Sequence, residues 1–553
     1  MRLQTVIVLA GALFFSFWLM IHTFSYDQPG QNILMGAKVW SDFAQHIPVI
    51  RSFSHGANLS RFFGPGAIDF PLFSGGGMRY HFLFYALVGL LERAGLRIDW
   101  AMNIPSALGL TGLLIGIFLL ARTLFKNTLA PALTLLFFLF NGSLGFLQFF
   151  KTHPLSLNTP RDIVTLGEFP SFAPWGPGPV SAFWNLNIYT NQRHLAGAFA
   201  IVVGFILSLL HLETRSRKKQ LLAAVLWGAV FGLFPFFHQP SLLIVAIILI
   251  CYFVFFPRLR IMLCVIGLTT LVIALPQILP VLSGGPKTVS WYPGYLIHDQ
   301  LSALSFLTYW WHNLGLHALL IPIGFFFIPV RSRKVLSPLV VLFLIANLFK
   351  FSVEPAASHK FFNFTLLFGS MITAQTIVRV GAQKFHVLGK ILLTGVLILL
   401  LTLSGIIDFF VIFNDKASPL KDIGANKAAQ WIDMRTAKDA VFLNSSYLYH
   451  PASLAGRAIF LGWPYFPWSL GYPEGRMELL AELYESKNPA LFCPQLTTLG
   501  IHYVTVEETH GDVDRPIIDT AYFFENFTPS YEEEGFGIFS TDALCSDIPS
   551  MEG

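Results

Sequence analysis

The sequence predicts an α-helical polytopic membrane protein of about eleven transmembrane helices, followed by a C-terminal extracytoplasmic α/β domain. Three observations carry this reading. First, 54% of the 553 residues are hydrophobic, only 12% are charged, 56 are Phe, and the mean hydropathy is +0.61. A soluble chain carries roughly 25% charged residues, and a soluble domain of this size could not bury so much apolar surface behind a wettable exterior. The composition therefore excludes an ordinary cytosolic enzyme, a disordered chain and a disulfide-rich secreted module. Second, apolar runs of about 20 residues recur, the length that spans a hydrocarbon core. Third, the net charge of +5 conceals two unlike parts: residues 1–412 carry +16 and residues 413–553 carry −11. Such an asymmetry marks two domains in different surroundings.

In chain order, the first run is 5–23, which lacks a small-x-small cleavage site and reads as a retained anchor. The others are 101–121, 128–149, 194–212, 221–237, 240–256, 261–283, 313–330, 335–352, 362–378 and 391–412. The stretch 80–91 is apolar but short and is closed by Glu92-Arg93. Loop charge decides its side. With 80–91 lying on the surface, the cytoplasmic segments hold 15 Lys/Arg and one acid, Glu213. The opposite parity would export the run Arg215-Ser216-Arg217-Lys218-Lys219. The positive-inside rule thus favours eleven spans and an interfacial 80–91, and the odd number sends the tail outside.

The long outer loops are 24–100 and the proline-rich 150–193, so the chemistry is expected on the outer face of a domain spanning 1–412. The tail, 413–553, reads as a small acidic α/β domain with helices at 424–434 and 475–486 and strands at 440–443, 457–461, 501–506 and 534–539. It has no nucleophile elbow, P-loop or dinucleotide-binding glycine pattern. Cys251 and Cys264 read as buried packing residues, whereas Cys493 and Cys545 lie in the tail, where pairing and free thiols both remain open. No basic-aromatic run suits nucleic acid, and no local spacing suits a metal.

Three stretches resemble the GT-C superfamily of membrane glycosyltransferases. Ser41-Asp42-Phe43-Ala44-Gln45-His46 stands where that family has an acidic motif on a juxtamembrane helix. Arg79-Tyr80-His81-Phe82-Leu83-Phe84-Tyr85 stands where its second juxtamembrane helix begins, and Ala121-Arg122-Thr123-Leu124-Phe125 closes span two in the family manner. Asn191-Gln192-Arg193-His194, Ser358-His359-Lys360 and the tail stretches Ala455-Gly456-Arg457 and Gly471-Tyr472 are similar to signatures of bacterial members. The chain departs from the family where Phe43 replaces a second acid and where no double proline follows His81.

The resemblance implies an enzyme that moves a hexose or pentose from a polyprenyl-phosphate donor to a lipid, glycan or protein acceptor at the outer face of a bacterial inner membrane. Glycosyl transfer needs a base for the acceptor hydroxyl and positive groups for the departing phosphate. Asp42 is the expected base, with His46 one turn on to orient it or to touch the acceptor. Asp69, Asp162 and Glu168 are reserve acids. Arg193, His194, His359 and Lys360, at the mouths of spans four and ten, are the expected grip on the lipid phosphate; interfacial snorkelling is their plain alternative. His81, Tyr80 and Tyr85 would line the acceptor groove. His238 and the run Trp310-Trp311-His312-Asn313 read as interfacial-belt residues. No cofactor is required on sequence grounds, although some members of the family take a divalent cation. Two other readings stay open: a non-catalytic glycan-assembly or glycan-binding subunit, and a lipid or solute transporter.

Overall fold

The computed structural model describes residues 2–64, 66–283, 289–297, 300–383, 386–508 and 516–546. It divides into two compact units. One contains Met1–Thr23, Gly36–Val39 and Asn103–Lys416; the other contains Phe24–Met35, Trp40–Met102 and Ala417–Gly553. The long first loop clusters with the tail and not with the spans.

The first unit is helical. Six helices of the chain are long and apolar enough to cross a membrane: Gln4–Thr23, Ile98–Phe125, Leu195–Leu212, Arg217–Phe237, Pro257–Leu279 and Pro355–Gly381. A seventh crossing is available if Val387–Leu400 and Leu403–Phe413, bent by 47° at Leu401-Thr402, count as one. The count among the described residues is therefore six or seven, against the eleven expected. Gln239–Phe255 is as long as expected but has only 17 residues, and three of the expected spans are shorter helices here: Leu129–Leu139, His317–Phe327 and Pro338–Leu348. At about 1.5 Å per residue, an 11-residue helix reaches only about half the hydrocarbon thickness. Local chemistry explains the shortening. Asn141-Gly142-Ser143 interrupts the expected 128–149, and Gly315, at φ +52°, separates Ala303–Leu314 from His317–Phe327. Cys251 is buried, but Cys264 is exposed on its helix and is not a packing residue.

The second unit is mixed. Trp40–Ser54 is buried on every side from Phe43 onward, and Leu83–Arg93, 11 residues long, packs along it. Phe24–Asp27, Asn32–Gly36 and Ala417–Lys421 form a three-stranded sheet that joins the first loop to the tail. A five-stranded sheet has the order Ala458–Ile459, Val441–Leu443, Tyr503–Val506, Phe536–Ser540 and Tyr531–Glu533. Its first three strands are parallel and its last two pairings antiparallel. Helices Lys427–Arg435 and Arg476–Glu485 accompany it. A disulfide, Cys493–Cys545, closes a separation of 52 residues. That closure stabilises the folded tail by about 4 kcal/mol in the chain-entropy picture.

Candidate functional site

In the second unit, Asp42 stands in the first turn of Trp40–Ser54, where the helix dipole favours a carboxylate. It is partly exposed, at the end of an otherwise buried helix. His46, one turn later, is buried. Its ring lies 4.6 Å from that of Tyr85, and its Nε2 is 3.4 Å from the Tyr80 hydroxyl, which is also 3.4 Å from the Tyr85 hydroxyl. The His81 ring sits against Tyr80 at 4.2 Å. The expected acid-side residue His46 and the expected groove residues Tyr80, Tyr85 and His81 thus form one cluster.

The field of Asp42 reaches further. Burial, and then the charge of Asp42, push the Tyr80 hydroxyl above the usual phenol range. The same two causes act on Tyr449. Tyr449 comes from the tail, donates to the Trp40 carbonyl, packs at 4.6 Å on the Trp40 ring, and holds φ at +51°. A bulky residue in the left-handed region stores strain, and such positions gather at functional sites. Neither Trp40 nor Tyr449 was an expected site residue; the tail position of Tyr449 carries no sequence signal linking it to Asp42.

Two further charged groups in this unit are structural. Arg51 pairs with Asp422 at 2.6 Å and with Glu92 at 3.3 Å. Burial opposes its charge, but Glu92 and Asp422 outweigh burial and hold the guanidinium above its usual range. Asp69, one of the reserve acids, is paired with Arg61, and Asn58 hydrogen-bonds its backbone on both sides.

In the first unit, Arg193 is almost fully buried. Its Nε donates to the Thr190 carbonyl at 2.7 Å, one terminal nitrogen to Asn103 Oδ1 at 3.1 Å, and the other to Thr23 Oγ1 at 2.8 Å. It anchors the C-terminal end of the first helix. His194, His359 and Lys360 are also buried, and all three lie near enough to His238 to act on its charge. The His194 and His238 rings are 5.2 Å apart. His359 stacks on Phe183 at 4.0 Å, bonds to Asn363 Oδ1 at 2.7 Å, and lies 3.3 Å from Gln192 Nε2. Lys360 adds its cation to the first turn of His359–Gly381, where the helix dipole is already positive. Around this basic cluster, Asn191 Oδ1, Gln192 Oε1 and Ser358 Oγ are buried with no hydrogen-bond partner among the described residues. Buried polar atoms are nearly always satisfied, so three orphans in two neighbouring motifs mark a place where a polar ligand fits.

The remaining reserve acids do not join this cluster. Asp162 is partly exposed on the short helix Thr159–Val164, and Glu168, largely exposed, pairs with Lys38 at 2.5 Å. Taken by itself, neither unit gathers three His, Cys, Asp or Glu ligands around one point among the described residues.

No protein-family model and no curated protein sequence matches the chain. Solved structures do. The oligosaccharyltransferase of Archaeoglobus fulgidus in its apo form superposes with a TM-score of 0.51, at 12% identity, over 91% of this chain and 69% of that one. The same enzyme, tethered by a disulfide to an acceptor peptide with the NVT sequon, gives 0.50 with the same identity and coverage. The chain has a GT-C fold. This is the architecture that the stretches around Asp42, Tyr80 and Arg122 implied. At such low identity the likeness is one of fold, so the roles of residues rest on the geometry above.

Proposed function

We propose that the protein is an integral membrane glycosyltransferase that transfers a sugar from a polyprenyl-phosphate donor to a hydroxyl acceptor by inverting displacement. Asp42 takes the proton of the acceptor hydroxyl, and that oxygen attacks the anomeric carbon. The bond from carbon to phosphate oxygen breaks, and the lipid phosphate leaves with the electron pair. Lys360, at a helix N-terminus, supplies positive potential for a phosphate, His194, His238 and His359 offer it ring N–H donors, and His46, Tyr80, Tyr85 and His81 line the acceptor side of Asp42. Arg193 anchors the end of the first helix.

The observation that carries the reading is the buried basic cluster of the first unit with its three orphaned polar atoms, set in a GT-C fold. The acidic, disulfide-closed tail supports an oxidising, extracytoplasmic compartment, and the loop-charge pattern supports the inner membrane with its active face outward. The test is transfer from a labelled polyprenyl-phosphate sugar in membranes. Asp42→Asn is expected to lower the rate by about 100-fold or more, the usual range for a lost general base, while donor lipid remains bound. Undiminished transfer would remove Asp42 from this role.

A further inference from the structure

Three helix breaks meet in the first unit. The first is Asn141-Gly142-Ser143, after Leu129–Leu139; the second is Gly315; the third is the bend at Leu401-Thr402. Gly405 donates its N–H to the Asn141 carbonyl at 3.1 Å, and Leu144 donates to the His312 carbonyl at 2.8 Å. Ser404 Oγ donates to the Ser143 carbonyl at 2.6 Å and accepts from Phe146 N–H at 2.9 Å. The contact needs glycine: a Cβ on Gly405 or Gly315 would collide with the backbone of Asn141 or Gly142. Irregular backbone among membrane spans is tolerated only where protein or a cavity satisfies it. In transporters, such interrupted helices often build ion sites.

Asp408 stands at this junction, one turn after Ser404 on the same face of the apolar helix Leu403–Phe413. Its Oδ2 accepts from Asn141 Nδ2 at 3.0 Å. The orientation of that amide is fixed, because Asn141 Oδ1 accepts from both Ser143 N–H and Ser143 Oγ. Asn141 is the only hydrogen-bond partner of Asp408 among the described residues, and no Lys, Arg or His pairs with it. The titratable groups on the elements around it go elsewhere. His22 bonds to the Ile412 carbonyl, His317 bonds to Thr373, and His312, Lys151, Arg161 and Asp162 form no pair with it. Beyond Asn141 lies a cavity of about 40 Å³ lined by Asn141, Gly142, Asn313, His317, Asn363 and Ser370. It has room for about three or four waters, at roughly 10–15 Å³ each.

A carboxylate in an apolar helix whose one partner is a neutral amide needs a counter-charge. We propose that this junction is a binding site for a single monovalent cation, either a proton or an alkali-metal ion, seated on the Asp408 carboxylate and hydrated from the adjoining cavity. The site is independent of the glycosyl-transfer reading. Its occupancy ties the bent span to the Asn141–Ser143 break.

The test uses the full chain in lipid nanodiscs, in a His450→Gln background that removes a separate pH response of the tail. Thermal unfolding is followed in choline chloride and in LiCl, NaCl or KCl at one ionic strength, from pH 5 to pH 9. A rise in Tm with one alkali cation identifies a metal ion; a rise with falling pH alone identifies a proton. In either case Asp408→Glu keeps the dependence and Asp408→Asn loses it. Asn141→Leu, which keeps the carboxyl group but removes its amide partner, shifts the midpoint and provides the readout if Asp408→Asn does not fold. The proposal is overturned if the wild type responds to neither variable, if Asp408→Asn responds as the wild type does, or if the Asn141→Leu midpoint is unmoved.

Discussion

Arg193 and Arg51 are both almost wholly buried, at 1% and 3% exposure, yet they are satisfied in opposite ways. Arg51, in the unit that holds the first loop and the tail, is met by two carboxylates, Glu92 and Asp422. Arg193, in the helical unit, spends its donors on neutral atoms of Met20, Thr23, Asn103 and Thr190. Near Arg193 in sequence, His194 joins His238, His359 and Lys360 in a further set of basic groups. One unit meets its buried guanidinium with carboxylates; the other meets it with neutral acceptors. Cancelling charge builds a scaffold, because a buried ion pair fixes geometry more than it adds stability.

The largest effect expected from disturbing this contrast is at Arg51. Arg51→Met leaves Glu92 and Asp422 buried without their cation, and should cost about 3–5 kcal/mol. Chemical denaturation with a probe in the tail would measure it. Adding Glu92→Gln and Asp422→Asn should restore part of the loss; no recovery would mean that packing, not charge, sets the value.

A second test concerns a group kept neutral by burial. His450 Nδ1 accepts from Ala452 N–H, so Nε2 carries the ring proton and donates to Thr505 Oγ1 at 3.0 Å. A second proton would break the contact with Ala452, and burial pushes His450 down to about 3. In the unfolded chain it titrates near 6.5. Between these values the unfolded chain binds a proton that the folded chain refuses. Stability should therefore fall as pH drops from about 6.5 towards 3, by at most about 1.4 kcal/mol per pH unit, and stay level above that window. Hydrogen exchange in the tail at several pH values reads the slope, which His450→Gln should flatten.

The smallest expected effect is at Lys360. Lys360→Gln removes the one lysine of a cluster whose other members are histidines, and should raise the KM for the lipid-phosphate donor about tenfold, the loss of about 1.4 kcal/mol, with a lesser change in kcat. An unchanged KM would detach Lys360 from the donor.

Legibility in the sequence followed the range of the interaction. The GT-C architecture was readable, because hydropathy and the motifs around Asp42, Tyr80 and Arg122 are local. His46 was expected beside Asp42, and Tyr80 and Tyr85 in a separate groove; that their rings stack on one another was not readable. The pairing of Arg51 with Asp422 was not readable, since nothing in either neighbourhood announces the other. His238 looked like an interfacial-belt residue because its sequence context is aromatic; only the fold sets it beside His194. Asn141-Gly142 and Gly315 are turn signals, but averaging hydropathy over about 20 residues hides a two-residue break. That smoothing merged interrupted helices into continuous runs and concealed the polar surroundings of Asp408, a lone acid within an apolar run.

The pairing of Arg51 with Asp422 also imposes a timetable. The two residues are 371 positions apart. At about 5–20 residues per second of synthesis, Arg51 leaves the ribosome roughly 20–75 s before its second carboxylate exists. During that interval Glu92 is available, but the strand Ala417–Lys421 that completes the three-stranded sheet is not. The first loop therefore waits, half assembled, for the last quarter of the chain. A truncation or stall before Ala417 would leave it exposed to quality control long before any chemistry is possible.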